Sequence, residues 1–163
     1  MPFISGLVQN VFIVRWEKTE VADAARAVRL ARQAKEECSG PMVYVGIVPA
    51  GERGPDKATR IQLSRALDEL LGLCSCVHLV LEGTGFAAAT QRAAAAGIFL
   101  MTGLRGRVTP HISVAHALSS CTYLTSPPAV ILAEATELRL VVGVVRGESG
   151  ARQIRPTQAT RIR

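Results

Sequence analysis

The sequence predicts a single α/β domain, a mostly parallel sheet covered by helices, followed by a C-terminal helical or mixed extension and a basic tail. Near-continuous apolar runs recur at Val11–Val14, Met42–Val48 and Val77–Leu81, as strands buried on both faces require. Each run precedes a stretch of helical periodicity, the strand-then-helix order of parallel sheets. With 163 residues, 48% of them hydrophobic, the chain can bury one core and has no room for two full domains.

Taken in order, Phe3–Val8, broken at Gly6, is placed to pair with the Val11–Trp16 strand. Thr19 is a suitable N-cap for the next element, with Glu20 and Asp23 in its first turn. Val21, Ala24, Val28 and Ala31 then keep helical spacing until Gly40 and Pro41 stop it. Arg26, Arg29 and Arg32 recur every three residues, and a solvated face of an amphipathic helix accounts for them better than a phosphate-reading row. Met42–Val48 ends at Pro49, and the polar Ala50–Asp56 loop sits at its carboxyl end. A helix starts near Asp56, turns Ile61, Leu63, Leu67, Leu70 and Leu71 to the core, and closes or frays at Gly72.

The Val77–Leu81 strand leads through Glu82-Gly83-Thr84-Gly85 into an alanine-dense helix from about Phe86 to Met101. Alanine favours helix and permits close approach to a sheet. Val108–Ser113 is the fourth strand, and a short helix starts at His116-Ala117-Leu118. The compact unit spans residues 1–125, and Pro127-Pro128 marks its boundary. Residues 126–145 form an amphipathic extension, a helix or a helix leading into a strand, whose Val130, Ile131, Leu132, Leu138, Leu140, Val141 and Val142 require burial. That burial is against the domain itself or a second copy, and a homodimer through Ala129–Val145 is the favoured expectation. Residues 146–163 form a basic, flexible tail.

Composition excludes several function classes. Aromatic residues make up 4% of the chain, too few for stacking platforms on nucleic acid. Of the formal charge of +6, the tail carries +4 in five arginines and Glu148, so nucleic acid is expected only through the tail. Met1–Gly6 has no export signal, Ala93–Leu104 is too short to span a bilayer, and Ala129–Val145 contains Glu134, Glu137 and Arg139. A cytoplasmic chain without membrane insertion is therefore expected, its four cysteines reduced.

Gly83, Gly85 and Ala88 satisfy the G-x-G-x-x-A spacing between a strand and a helix, where glycine amides approach a pyrophosphate. The acidic ribose partner expected about twenty positions later is missing, and Gly103–Arg107 offers Arg105 and Arg107 instead. A tight turn packed on the sheet is the simpler reading. Cys74, Cys76 and His78 alternate as a metal-ligand row would, yet same-face side chains on a strand stand roughly 6.5 Å apart, too far to wrap a zinc ion unaided. Burial in the core is the expectation for them. His111 and His116 flank a strand-helix junction, with Asp56 or Glu82 as candidate partners, but their spacing specifies no acid-base set. No G-x-S-x-G or P-loop motif occurs, so no catalytic residue, metal or cofactor is expected.

The layout of residues 8–124 resembles the STAS family, named for sulfate transporters and anti-sigma-factor antagonists. The likeness rests on the Val11–Trp16 strand, the Met42–Val48 strand with its polar loop and Ile61–Leu71 helix, the Val77–Leu81 strand with its alanine-rich helix, and the His111–Leu118 ending. The resemblance implies a non-catalytic cytosolic regulatory module that binds an unidentified partner protein and, in some members, nucleotides or lipids. It also implies a phospho-switch at the start of the helix after the central strand. The Asp-Ser-Ser-Gly motif of that switch is absent, and Gly54–Arg60 stands in its place. Asp56, Thr59 and Arg60 are the corresponding candidates, with Asp56 otherwise an N-cap and Thr59 exposed on the first turn. The alternative is a nucleotide-binding protein or enzyme using Gly83, Thr84, Gly85 and Ala88. For the regulatory module the expected contact surface is the Pro49–Arg60 loop with the Gly83–Phe86 turn, at the carboxyl ends of parallel strands.

Overall fold

Both faces of the central strands are apolar, so the sheet has to be covered twice. The computed structural model describes residues 3–17, 20–51, 57–101, 104 and 107–142. β1 (Phe3–Val8) and β2 (Val11–Trp16) form an antiparallel hairpin. The positive φ of 55° at Gln9 turns the chain between them. β3 (Val43–Val48), β4 (Cys76–Leu81) and β5 (Val108–His111) follow as parallel neighbours, giving a five-stranded mixed sheet in the order β1-β2-β3-β4-β5.

α1 (Val21–Glu37) and α2 (Lys57–Leu73) connect these strands and pack on one face of the sheet, over Phe12, Val14, Trp16 and Tyr44. α3 (Gly85–Met101) links β4 to β5 and lies against both. The opposite face, lined by Val11, Ile13, Val43, Val45, Ile47 and Val80, is covered by α4 (Val114–Ser120) and α5 (Pro128–Glu137). The period of two along each strand thus divides its side chains between two cores.

Several boundaries differ from the sequence reading. Thr19 lies outside the described residues, and α1 is capped at Glu20, whose backbone N–H donates to Asp23 Oδ2 at 2.9 Å. The row of arginines is solvated, as expected: Arg26 stacks over the Phe3 ring, Arg29 is exposed, and Arg32 pairs with Glu69. α2 runs through Gly72 to Leu73. Its buried stripe is Thr59, Ala66, Leu70 and Leu71, with Leu63 and Leu67 partly buried, while Ile61 is 47% exposed. A helix buries positions three and four apart, and a stripe through Thr59, Leu63, Ala66 and Leu70 leaves Ile61 on the outer side. β5 ends at His111 rather than Ser113 because Ser113 caps α4, its Oγ accepting from His116 N–H at 3.2 Å.

The C-terminal extension packs in part on its own domain, one of the two destinations the sequence left open. Ile131 and Ala135 of α5 are fully buried, and Leu140 and Val141 join them in the same core as Val8, Val11 and Leu118. The chain turns at Arg139 with φ of 59°, and both Leu140 and Val141 donate backbone N–H bonds to Ala135 O. The core therefore continues past Pro127-Pro128 to Val141. Of the apolar residues expected to need burial, Ile131, Leu140 and Val141 find it on their own domain and Leu132 packs partly against it, while Val130, Leu138 and Val142 are exposed. Gly6 makes room for this seat, since a Cβ at that position would lie 2.9 Å from Leu140 Cδ1. Gly6→Val is expected to lower stability in urea denaturation by about 1–2 kcal/mol. A loss within error of zero would show that Leu140 is not seated on β1. The basic tail, residues 146–163, lies outside the described residues.

No helix among the described residues is long and apolar enough to cross a membrane.

Candidate thiol-imidazole site

The residues of the expected contact surface, Asp56, Thr59, Arg60 and the Gly83–Ala88 turn, do not form the site. Asp56 lies outside the described residues, Arg60 is exposed, and Thr59 is buried at 3% exposure, so the expectation of an exposed Thr59 on the first turn is corrected. At the G-x-G-x-x-A turn, Gly83 has φ of 117°, and a Cβ there would touch the Cβ atoms of Ala50 and Ala88 at 3.3 Å. Its glycine thus serves close packing of the turn against the exit of β3 and the start of α3. Thr84 is exposed, Gly85 has φ of 84°, and Ala88 is buried. Arg92 Nη1 donates to Leu81 O at 3.0 Å and Gly83 O at 3.2 Å, tying the turn to its own helix.

Arg107 donates to Leu71 O at 2.7 Å beside the start of β5. That is the opposite end of the parallel strands from Gly83, about 20 Å away at the rise of an extended chain. Arg105 lies outside the described residues. Glu82 is held by Arg15 in a two-pronged ion pair at 3.1 and 3.2 Å, so it does not join the histidines.

Instead, the fold brings together side chains that are far apart in sequence. Alternation along β4 puts Cys76, His78 and Val80 on the face covered by α4. β5 runs parallel beside it and places His111 opposite Val80. The Ser113 cap starts α4 at once, which carries His116 back over His111. α4 is two turns long and ends at Cys121, whose N–H bonds Leu118 O, so that its sulfur reaches the first residue of β4.

The resulting distances are short. Cys76 Sγ lies 3.6 Å from Cys121 Sγ and 3.4 Å from His78 Nε2. His78 Nδ1 is 2.8 Å from His111 Nε2, and His111 Nδ1 is 3.1 Å from His116 Nδ1. His78 and His111 are buried at 5% and 3% exposure, the two cysteines are half-buried, and His116 faces solvent. All three histidines of the chain and two of its four cysteines thus form one connected cluster running from the interior to the surface.

Electrostatics follow from this packing. Burial, with the neighbouring imidazoles of His78 and His116, pushes His111 down to about 4, so it stays neutral at physiological pH. The two thiols are coupled: the hydrogen bond from Cys76 favours the Cys121 thiolate, which in turn holds the proton on Cys76. Cys74 is excluded from the cluster. Its backbone N–H still bonds Leu70 O at the end of α2, and its sulfur lies in the core on the other face, where burial pushes the thiol up to about 12.

Reactivity with iodoacetamide should report this difference, because only the thiolate attacks. At pH 7 in reduced, metal-free protein, Cys121 is expected to label at least about ten times faster than Cys74. Equal labelling by peptide mass mapping would contradict the cluster's electrostatics.

Sequence reasoning missed this site for two reasons. A row of three ligands was sought on one strand, but Cys74 is not part of β4, and the missing sulfur comes from Cys121, forty-five positions from Cys76. The long imidazole of His78 also reaches back to Cys76, closing the gap that the backbone spacing imposes. The available signal was that His111, His116 and Cys121 fall at intervals of five around a short helix. The chain matches no protein-family model, no curated protein and no solved structure.

Proposed function

We propose that the chain is a non-catalytic regulatory module acting on a partner protein in the cytoplasm, with the thiol-imidazole cluster as its responding element. The observation that carries this reading is the convergence of Cys76, His78, Cys121, His111 and His116 under α4 in an otherwise aliphatic core. Cys121 is the C-cap of α4 and opens the 121–127 link to α5. Any ligand or modification at the two sulfurs therefore acts directly on the element that covers this face of the sheet. The STAS-like layout supports a partner protein as the recipient, by fold-level analogy. The switch of this reading is the cysteine-histidine cluster rather than Thr59.

Hydrogen-exchange mass spectrometry tests it. Alkylating Cys121 with iodoacetamide should accelerate exchange in residues 114–127 by at least about tenfold while leaving β2 and β3 unchanged. Unchanged exchange in 114–127 would sink the regulatory reading, because the cluster would then transmit nothing to the surface.

A further inference from the structure

We infer that Cys76, His78 and Cys121 are three protein ligands of a zinc ion, with His111 as the acceptor behind His78 that orients its ring. The inference rests on the cluster being the responding element proposed above and gives that element its ligand. The donor set is two sulfurs and one imidazole nitrogen, and their three ligand atoms lie within 4.8 Å of one another. Thiolate and imidazole together suit zinc, whereas calcium and magnesium take oxygen ligands.

The distances match the polyhedron. A tetrahedral ion with Zn–S of about 2.3 Å and Zn–N of about 2.0 Å separates two sulfurs by about 3.8 Å and a sulfur from a nitrogen by about 3.5 Å. The observed Cys76–Cys121 and Cys76–His78 separations are 3.6 and 3.4 Å. Two edges of the coordination tetrahedron are thus already set. The third, from Cys121 to His78, is no longer than 4.8 Å and closes with at most about 1.3 Å of side-chain movement. Half-burial of both cysteines leaves an entry path from solvent, and three protein ligands leave the fourth position to water or an incoming donor.

The imidazole chain supplies a second, independent argument. A ligating histidine presents one nitrogen to the metal and donates from the other to an acceptor that fixes its tautomer. His78 turns Nε2 toward the sulfurs and Nδ1 toward His111 Nε2 at 2.8 Å. With the proton on Nδ1, His78 donates to His111, and His111 Nδ1–H donates to Nδ1 of the exposed His116. In this direction the Nε2 lone pair of His78 faces the sulfur of Cys76 and is open to a cation.

The test is titration of reduced, full-length protein with Zn²⁺ against a chromophoric chelator, with Co²⁺ as a spectroscopic probe. One ion per chain is expected, and Co²⁺ should give sulfur-to-metal charge transfer and intense tetrahedral d–d absorption. Cys121→Ser and His78→Gln should each weaken binding by at least about 100-fold, whereas Cys38→Ser, outside the cluster, should bind as wild type. His111→Leu should lose about 10–100-fold, and His111→Gln, whose amide oxygen still accepts from His78, should retain most of the affinity.

Circular dichroism of each variant separates loss of ligand from loss of fold, and the wild-type titration needs no variant. Absence of zinc binding in reduced wild type overturns the inference, as does retention of affinity in both ligand variants or its loss in Cys38→Ser. If zinc does not bind but alkylation of Cys121 still accelerates exchange in 114–127, the metal fails and the regulatory reading stands. If zinc binds but 114–127 does not respond, the reverse holds.

Discussion

Replacing Asn10 with alanine is expected to lower the unfolding free energy by about 2–4 kcal/mol, because a buried side chain loses four part-buried hydrogen bonds at once. Asn10 is 3% exposed at the β1–β2 turn, and its amide uses its full bonding capacity. Nδ2 donates to Pro41 O and Tyr123 O, each at 2.7 Å, while Oδ1 accepts from Thr125 N–H at 3.1 Å and Thr125 Oγ1 at 3.0 Å. One side chain therefore ties the hairpin to the entry of β3 and to the 121–127 link. Asn10→Asp removes the two donors while keeping the shape, and it should cost nearly as much as alanine. Urea denaturation of both variants checks this, and a loss under about 1 kcal/mol for Asn10→Ala would show that the link is held by other contacts. Because the link begins at Cys121, Asn10 also positions a residue of the thiol-imidazole site.

The second large effect is expected at Ile131. Its side chain is fully buried between α5, α4 and the sheet, so Ile131→Ala should cost about 2–5 kcal/mol through lost burial and the cavity left behind. The neighbouring Val130 is 49% exposed, and Val130→Ala should stay within about 0.5 kcal/mol of wild type. Equal effects at the two positions would mean that α5 is not seated on the domain. The comparison bears on function too, because α5 packs on α4, whose end carries Cys121.

Most of the element order was legible from periodicity. Runs such as Val11–Val14 and Met42–Val48 are apolar at every position, and only a strand covered on both faces buries such a run. Helix existence followed from spacing, but which residues of α2 are buried did not. Ile61 and Thr59 lie on different sides of α2, and hydrophobicity favours the wrong one. Contact with α1 and the sheet decided in favour of the stripe through Thr59 and Ala66, which put the proposed phosphorylation site inside. The apolar content of 129–145 was equally legible, but its destination was not, because the notch at Gly6 that receives Leu140 exists only once β1 is in the sheet.

The sequence by itself determined local structure: strands from apolar runs, helices from period, and an aliphatic core without a membrane-spanning helix among the described residues. The tertiary structure alone decided the site. Cys76 and His78 share a strand face by alternation, but Cys121, His111 and His116 reach them only through the parallel pairing of β4 with β5 and the return of α4 across it. Alternation is a property of neighbouring residues and can be read along the chain. The meeting of side chains from separate segments depends on sheet register and helix packing, which no local pattern encodes.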